Sequence, residues 1–129
     1  MRATRSMNRA WDIVWSAYVL ALVAFSLLPA AMPQGMANDD KLMHFLAYAI
    51  LVALCPWRRR YGRGPWAVSW AMALGVVLEV GQDVLPTGRV MDVRDMVANA
   101  LGAISGAGLK WSVEAWRPRI KVASTGGAR

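Results

Sequence analysis

Side chains that could do chemistry occur at helical spacing beside long apolar stretches of this sequence. Lys41, His44 and Tyr48 lie three and four residues apart, and Glu79 and Gln82 lie three apart. Residues at these spacings share one face of an α-helix, so each set is expected to project from one side. A third set follows the same rule and continues into glycine: Asp92, Asp95, Asn99, Gly102 and Gly106.

These groups suit proton transfer, anion binding or cation binding. The candidate catalytic residues are Glu79, Asp92, Asp95 and His44, because carboxylates and imidazole exchange protons and bind divalent ions. The candidate ligand-binding residues supply cations, amides, a hydroxyl and a further carboxylate: Lys41, Arg89, Gln82, Asn99, Asp40 and Tyr48. Lysine and arginine suit phosphate or another anion. A divalent cation is a candidate cofactor, and both metal binding and catalysis stay open at this point.

Four apolar windows must position these residues. The chain is 57% hydrophobic over 129 residues, and a membrane-spanning helix needs about 20 residues. The windows predict spans at about 11–29, 41–57, 66–85 and 92–112, within one domain of residues 1–116. The predicted fold class is therefore an all-α membrane protein, a small four-transmembrane-helix bundle. Pro86-Thr87-Gly88 predicts a turn, and Asp92 is expected near the start of the fourth helix.

The lysines and arginines are unevenly distributed among the segments that flank and join the apolar windows. Twelve of the fifteen lysines and arginines precede span one, join spans two and three, or lie at the inner end of span four and beyond it. The positive-inside rule then predicts that both termini are cytoplasmic and that the polar sets lie near the opposite surface. Residues 117–129 are expected to form a basic, disordered cytoplasmic tail. Most tryptophans are expected to anchor the inner interface: Trp11, Trp15, Trp57, Trp66, Trp111 and Trp116.

The polar strings also resemble those of a known family. They are Asp40-Lys41-x-x-His44-Phe45-x-x-Tyr48, Glu79-x-x-Gln82, and Pro86-x-Gly88-Arg89-x-x-Asp92-x-x-Asp95-x-x-x-Asn99. In this order and spacing, they are similar to the VanZ-like family over about residues 29–108. The resemblance implies a bacterial integral membrane protein, typically of four helices, with a role at the cell envelope. The founding member of that family is associated with low-level resistance to teicoplanin.

We therefore expect a multi-pass protein of the bacterial cytoplasmic (inner) membrane with an extracytoplasmic-facing polar site. The site would bind or modify an anionic, lipid-linked envelope component, with a link to glycopeptide tolerance. The expected partners are a membrane lipid or a lipid-linked cell-wall intermediate and no nucleic acid, while a homodimer or a membrane partner is compatible with such short helices. The alternative is a non-enzymatic structural or accessory subunit whose polar network fixes helix packing. A minimal transporter or proton pathway is less favoured, because the inner half of the fourth helix is apolar or glycine.

Overall fold

Four helices make up the regular structure. The computed structural model describes residues 2–28, 37–56, 64–86 and 88–125, and within these ranges it contains only α-helices. They are α1 (Arg2–Leu27), α2 (Ala37–Leu54), α3 (Gly64–Val84) and α4 (Val93–Thr125). The predicted all-α class is confirmed for the described residues. Two stretches, Asn8–Leu27 and Gly64–Val84, are long and apolar enough to cross a membrane.

Two helix boundaries differ from those predicted from hydropathy. Helix α2 begins at Ala37 rather than near residue 41, which brings Asp40 into the helix one turn before His44. Helix α4 continues to Thr125, so the backbone of residues 117–125 is helical where a disordered tail was expected. Adding residues to an existing helix costs far less than nucleating a new one, so a polar sequence can extend a helix begun by an apolar one. Residues 126–129 of the predicted tail lie outside the described residues.

Helices α2 and α4 run parallel and form the most extensive helix pair of the described structure. Gly102 lies against the backbone of Phe45, and Gly106 lies one turn further on against the backbone of Ala49. A Cβ atom at either glycine would overlap the facing carbonyl oxygen. Small residues allow helix backbones to approach in this way. These two glycines therefore permit the close contact between α2 and α4.

Helix α1 runs antiparallel to α2 and is joined to its carboxyl-terminal end by tryptophans. The indole N–H of Trp11 donates to the carbonyl of Leu54, and that of Trp15 donates to the carbonyl of Leu51, both at 3.0 Å. The last carbonyls of a helix have no intrahelical partner, so these bonds satisfy groups that would otherwise be open. Trp15 also packs on Trp70 of α3, with ring centroids 5.5 Å apart. Two of the expected interface anchors therefore also have a packing role.

The distribution of polarity differs from that in a typical water-soluble domain. Large apolar side chains are exposed on each helix, including Phe25, Met43, Val77 and Leu101. The interior contains apolar residues such as Leu51 and Val52, and it also buries four polar side chains: Glu79, Gln82, Asp95 and Asn99. Charged and amide residues are rarely buried without partners, whereas exposed apolar surface over every helix is unusual for a monomer in water. The arrangement therefore suits an apolar solvent around the helices.

Candidate functional site

The buried polar residues meet at one end of the protein, where α1 and α3 end and α2 and α4 begin. His44 of α2 is at the centre. Its Nε2 atom is 4.0 Å from an oxygen of Asp40 and 3.8 Å from Oδ2 of Asp95, and its Nδ1 atom is 4.0 Å from Oε1 of Glu79. We use the name polar cluster for seven residues of α2, α3 and the start of α4: Asp40, Lys41, His44, Glu79, Asp92, Asp95 and Asn99.

The orientation of the His44 ring is set by Asn99. The Oδ1 atom of Asn99 lies 3.1 Å from His44 Nδ1, and the Asn99 residue is only 2% exposed. A proton on Nδ1 is therefore donated to the amide oxygen. In that tautomer the lone pair of Nε2 points towards Asp40 and Asp95. Asn99 therefore orients the imidazole ring of His44.

Lys41 is the cation of the polar cluster. Its Nζ atom lies 3.8 Å from Oδ2 of Asp92 and 3.9 Å from Oδ1 of Asp95. These are ion-pair distances and are longer than a hydrogen bond. Because Asp95 presents one oxygen towards Lys41 and the other towards His44, it joins the two basic groups. Four carboxylates in the polar cluster meet one ammonium group and one imidazole.

Asp92 and Glu79 link α3 to the start of α4. Asp92 Oδ1 accepts a hydrogen bond from the backbone N–H of Arg94 at 2.8 Å, which is the geometry of a helix N-cap. The backbone N–H of Asp92 in turn donates to Oε2 of Glu79 at 3.3 Å. The connection before it includes Gly88 with a φ of 70°, a left-handed conformation that favours glycine. The capping role expected of Asp92 is confirmed.

The remaining three predicted site residues are outside the seven that define the polar cluster. Gln82 donates to the backbone carbonyl of Ser26 at 2.9 Å and so ties α3 to the end of α1. Arg89 is half-buried in the connection between α3 and α4. Tyr48 is buried one turn below His44, and its hydroxyl makes no hydrogen bond to a described residue.

Two contributors were not identified as site residues from the sequence. Ser26 contributes its backbone carbonyl. Every residue has a backbone carbonyl, so the amino-acid type at this position could not predict the contact. Gly75 lies where a Cβ atom would be 3.2 Å from Nδ2 of Asn99 and 3.3 Å from the hydroxyl of Tyr48. The absence of a side chain at Gly75 makes room for these two polar side chains, from α4 and α2. The sequence feature that could have identified Gly75 is its position on the same face of α3 as Glu79 and Gln82.

Exposure falls steeply from the rim of the polar cluster to its floor. The side chains of Asp40 and Asp92 are 53% and 43% exposed, whereas that of Glu79 is 2% exposed. A ligand would therefore approach past Asp40, Lys41 and Asp92. An open apolar groove of about 290 Å³ lies elsewhere, between α1 and α3, and is lined by residues such as Trp15 and Trp70. It contributes nothing to the chemistry of the polar cluster.

This arrangement can orient an imidazole, bind a cation between carboxylates, or present Lys41 to an anion. Comparison with known proteins gives the family of this chain. No curated protein and no solved structure matches the chain. The sequence model of the VanZ/LLP1 family matches residues 9–114, a range that includes the whole polar cluster. That range is most of the chain, and two apolar helices of spanning length agree with a membrane protein. The chain belongs to the VanZ/LLP1 family.

Proposed function

We propose that this protein is a multi-pass protein of the bacterial inner membrane whose polar cluster binds or modifies an anionic, lipid-linked component of the cell envelope. In this proposal all four helices cross the membrane and both termini are cytoplasmic. The proposal extends to tolerance of glycopeptides of the teicoplanin type. The observation that carries it is the convergence of α2, α3 and α4 on His44, at the end of the protein opposite the basic connections.

The topology is supported by helix direction and by charge. The helices alternate in direction, because α1 is antiparallel to α2 and α2 is parallel to α4. In the sequence, twelve of the fifteen basic residues precede the apolar part of α1, lie between α2 and α3, or follow the apolar part of α4. Cytoplasmic segments are enriched in lysine and arginine, which favours an extracytoplasmic polar cluster. The outward apolar surfaces of α2 and α4 support spans by these helices as well.

The ligand class follows from the chemistry at the rim. Lys41 is 29% exposed and held between two carboxylates, so it is both accessible and fixed in direction. Arg89, in the adjacent connection, offers a second cation. A site at the membrane surface sees ligands whose headgroup is polar and whose tail lies in lipid. An anionic headgroup of this kind would contact Lys41 and Arg89 while its lipid tail lay along an outer helix face.

Glu79 is the most informative position for a test. Its carboxylate is nearly inaccessible, faces the imidazole of His44 and accepts the backbone N–H of Asp92. Glutamine has the same shape and can still accept that hydrogen bond, but it cannot carry charge or exchange a proton. Glu79→Gln is therefore expected to abolish function while the protein remains inserted. Asp83→Asn is the matched control, because Asp83 is exposed on the same helix.

The experiment compares envelope lipids and cell-wall precursors by mass spectrometry in cells with wild type, Glu79→Gln, Asp83→Asn or no copy. Protein amounts are matched by immunoblot. A species that changes with wild type and Asp83→Asn, but not with Glu79→Gln, would support modification and name the substrate. Retention of a labelled precursor by wild type, without chemical change and with loss in Glu79→Gln, would support binding. The proposal would be refuted if Glu79→Gln matched wild type both in the mass-spectrometric envelope profile and in retention of the labelled precursor.

The second candidate is a structural or accessory subunit, and the internal satisfaction of the polar cluster favours it. Asn99 bonds His44, Asp92 caps α4 and Glu79 accepts from Asp92, so much of the network serves the protein itself. On this alternative, Glu79→Gln lowers thermal stability in detergent and leaves the envelope profile equal to that of wild type. The same strains and the same purified variants distinguish the two candidates.

A further inference from the structure

The region between His44, Asp40 and Asp95 has the geometry of a cation site. His44 Nε2 is 4.0 Å from Asp40 Oδ1 and 3.8 Å from Asp95 Oδ2, and one ligand atom from each residue lies within 4.8 Å of the others. With edges of 3.8 and 4.0 Å and a third edge of at most 4.8 Å, an ion equidistant from the three corners lies no more than about 2.5 Å from each. Metal–oxygen and metal–nitrogen bonds are of that length, about 2.0–2.6 Å.

The same distances argue against a proton as the bridging charge. A charge-assisted hydrogen bond between an imidazolium and a carboxylate is about 2.7–2.9 Å long. Both carboxylate oxygens stand about an ångström further from Nε2 than this. An ion with a radius larger than that of a proton fills such a gap while touching all three atoms.

The hydrogen bond from His44 to Asn99 is an independent observation that points the same way. Histidines that bind metal usually donate their other ring N–H to an oxygen, which fixes the tautomer and directs the lone pair at the ion. Asn99 Oδ1 takes that place at 3.1 Å from Nδ1. Nε2 then directs a lone pair at two carboxylates, an arrangement that is repulsive unless a cation lies between them.

Asp95 adds a second independent observation. The residue is 8% exposed, and its Oδ1 atom is fully buried without a hydrogen bond to a described residue. The ammonium group of Lys41 is 3.9 Å away, beyond hydrogen-bond reach. A buried carboxylate normally accepts several hydrogen bonds or binds an ion. The other oxygen of this carboxylate, Oδ2, faces His44 Nε2 at 3.8 Å and is the oxygen available to an ion.

We propose that Asp40, His44 and Asp95 bind one divalent cation of the Mn²⁺ or Zn²⁺ type at the rim of the polar cluster. Two carboxylates and one imidazole suit such ions better than Mg²⁺ or Ca²⁺, which prefer oxygen alone. Asp40 is half-exposed, so the outer side of the ion is open to water or to a ligand oxygen. An oxygen of an anionic headgroup would complete the coordination beside Lys41. This bridging role rests on the function proposed above, whereas binding of the cation does not.

The test uses the full-length protein in detergent micelles, stripped with a chelator and titrated with Mn²⁺. Free Mn²⁺ is followed by electron paramagnetic resonance, and coordination by electron spin echo modulation from ¹⁴N. Wild type and the control Asp83→Asn are expected to bind one Mn²⁺ per chain with imidazole modulation. Asp40→Asn and Asp95→Asn are expected to lower the affinity by about tenfold or more. His44→Gln should remove the ¹⁴N modulation. Asp40→Asn is the variant that should fold without difficulty, because its side chain lies at the surface.

Equal Mn²⁺ affinity in Asp40→Asn and Asp83→Asn would overturn the cation site, and so would bound Mn²⁺ without ¹⁴N modulation. Addition of inorganic phosphate to the Mn²⁺-loaded protein tests the bridging role. Coupling to ³¹P supports that role, and its absence at saturating phosphate overturns it. A bound cation together with unchanged envelope profiles would reject the proposed function alone. Altered envelope profiles together with no cation would reject this inference alone.

Discussion

Replacement of Gly102 by alanine tests the link between helix packing and the polar cluster. The added Cβ atom would lie 2.9 Å from the carbonyl carbon and 3.1 Å from the Cα atom of Phe45. Carbon atoms in contact prefer about 3.5–4.0 Å, so α2 and α4 must separate locally by at least about 0.6 Å. The obstacle is backbone rather than a flexible side chain, so rotamer changes cannot relieve it.

The expected cost is about 1–3 kcal/mol, the range seen when a methyl group is forced into a packed interior. At 1–2 kcal/mol the ratio of folded to unfolded protein falls by about 5–30-fold. Separation of the two helices at Gly102 would also displace Asn99, which lies one turn away on α4. Asn99 would then move away from His44, which is adjacent to Phe45 on α2. Their hydrogen bond of 3.1 Å would then stretch beyond hydrogen-bond length.

Gly108→Ala is the matched control, since Gly108 lies in the same helix and a Cβ atom there meets nothing within 4 Å. Both replacements gain the same helix propensity of up to about 1 kcal/mol, so their difference isolates the contact with Phe45. The assay is thermal unfolding in detergent, followed by size-exclusion chromatography of the soluble fraction. We expect Gly102→Ala to unfold at lower temperature than wild type and Gly108→Ala to match or exceed it. Equal stability of the two variants would refute the close packing of α2 on α4.

Two further predictions concern single hydrogen bonds. Trp15→Phe removes the buried indole bond to the α2 carbonyl end and should cost about 0.5–1.5 kcal/mol in the free energy of unfolding. The same change at Trp111, which is 75% exposed, should be neutral, and equal losses would contradict the bonding role of Trp15. Asp92→Ala should destabilise the start of α4 by about 1 kcal/mol, whereas Asp92→Asn keeps the cap and should be milder. Hydrogen exchange of the first α4 amides measures this difference directly, and identical protection in the two variants would show that the cap contributes nothing.

The helical periodicity of this chain was sufficient to predict its elements and most of the polar cluster. Apolar windows of spanning length gave four helices, because burial of a continuous helical surface requires a continuous apolar sequence. Spacings of three and four residues placed Lys41 with His44, and Asp95 with Asn99, on single faces. These are local relations fixed by the 3.6-residue turn, so they hold before any helix packs on another.

The contacts between helices could not be predicted in the same way. Whether Gln82 faces the polar cluster or the end of α1 depends on how far α3 is rotated about its axis, and the structure gives Ser26 as its partner. The start of α2 at Ala37 brought Asp40 over His44, a position that hydropathy alone placed outside the helix. The spacing of residues in the sequence predicts neither the rotation of α3 about its axis nor the residue at which α2 begins.

The sequence by itself determined which side chains share each helix face and at which end of each helix the charges lie. Only the tertiary structure decided which atoms of those faces meet. The register of α2 on α4 is set by Gly102 and Gly106, which let the two helix backbones come into contact. These glycines are far in sequence from the α2 residues that they contact. That register aligns Asn99 with His44 and Asp95 with Asp40, because a rigid helix transmits its axial position to every residue it carries.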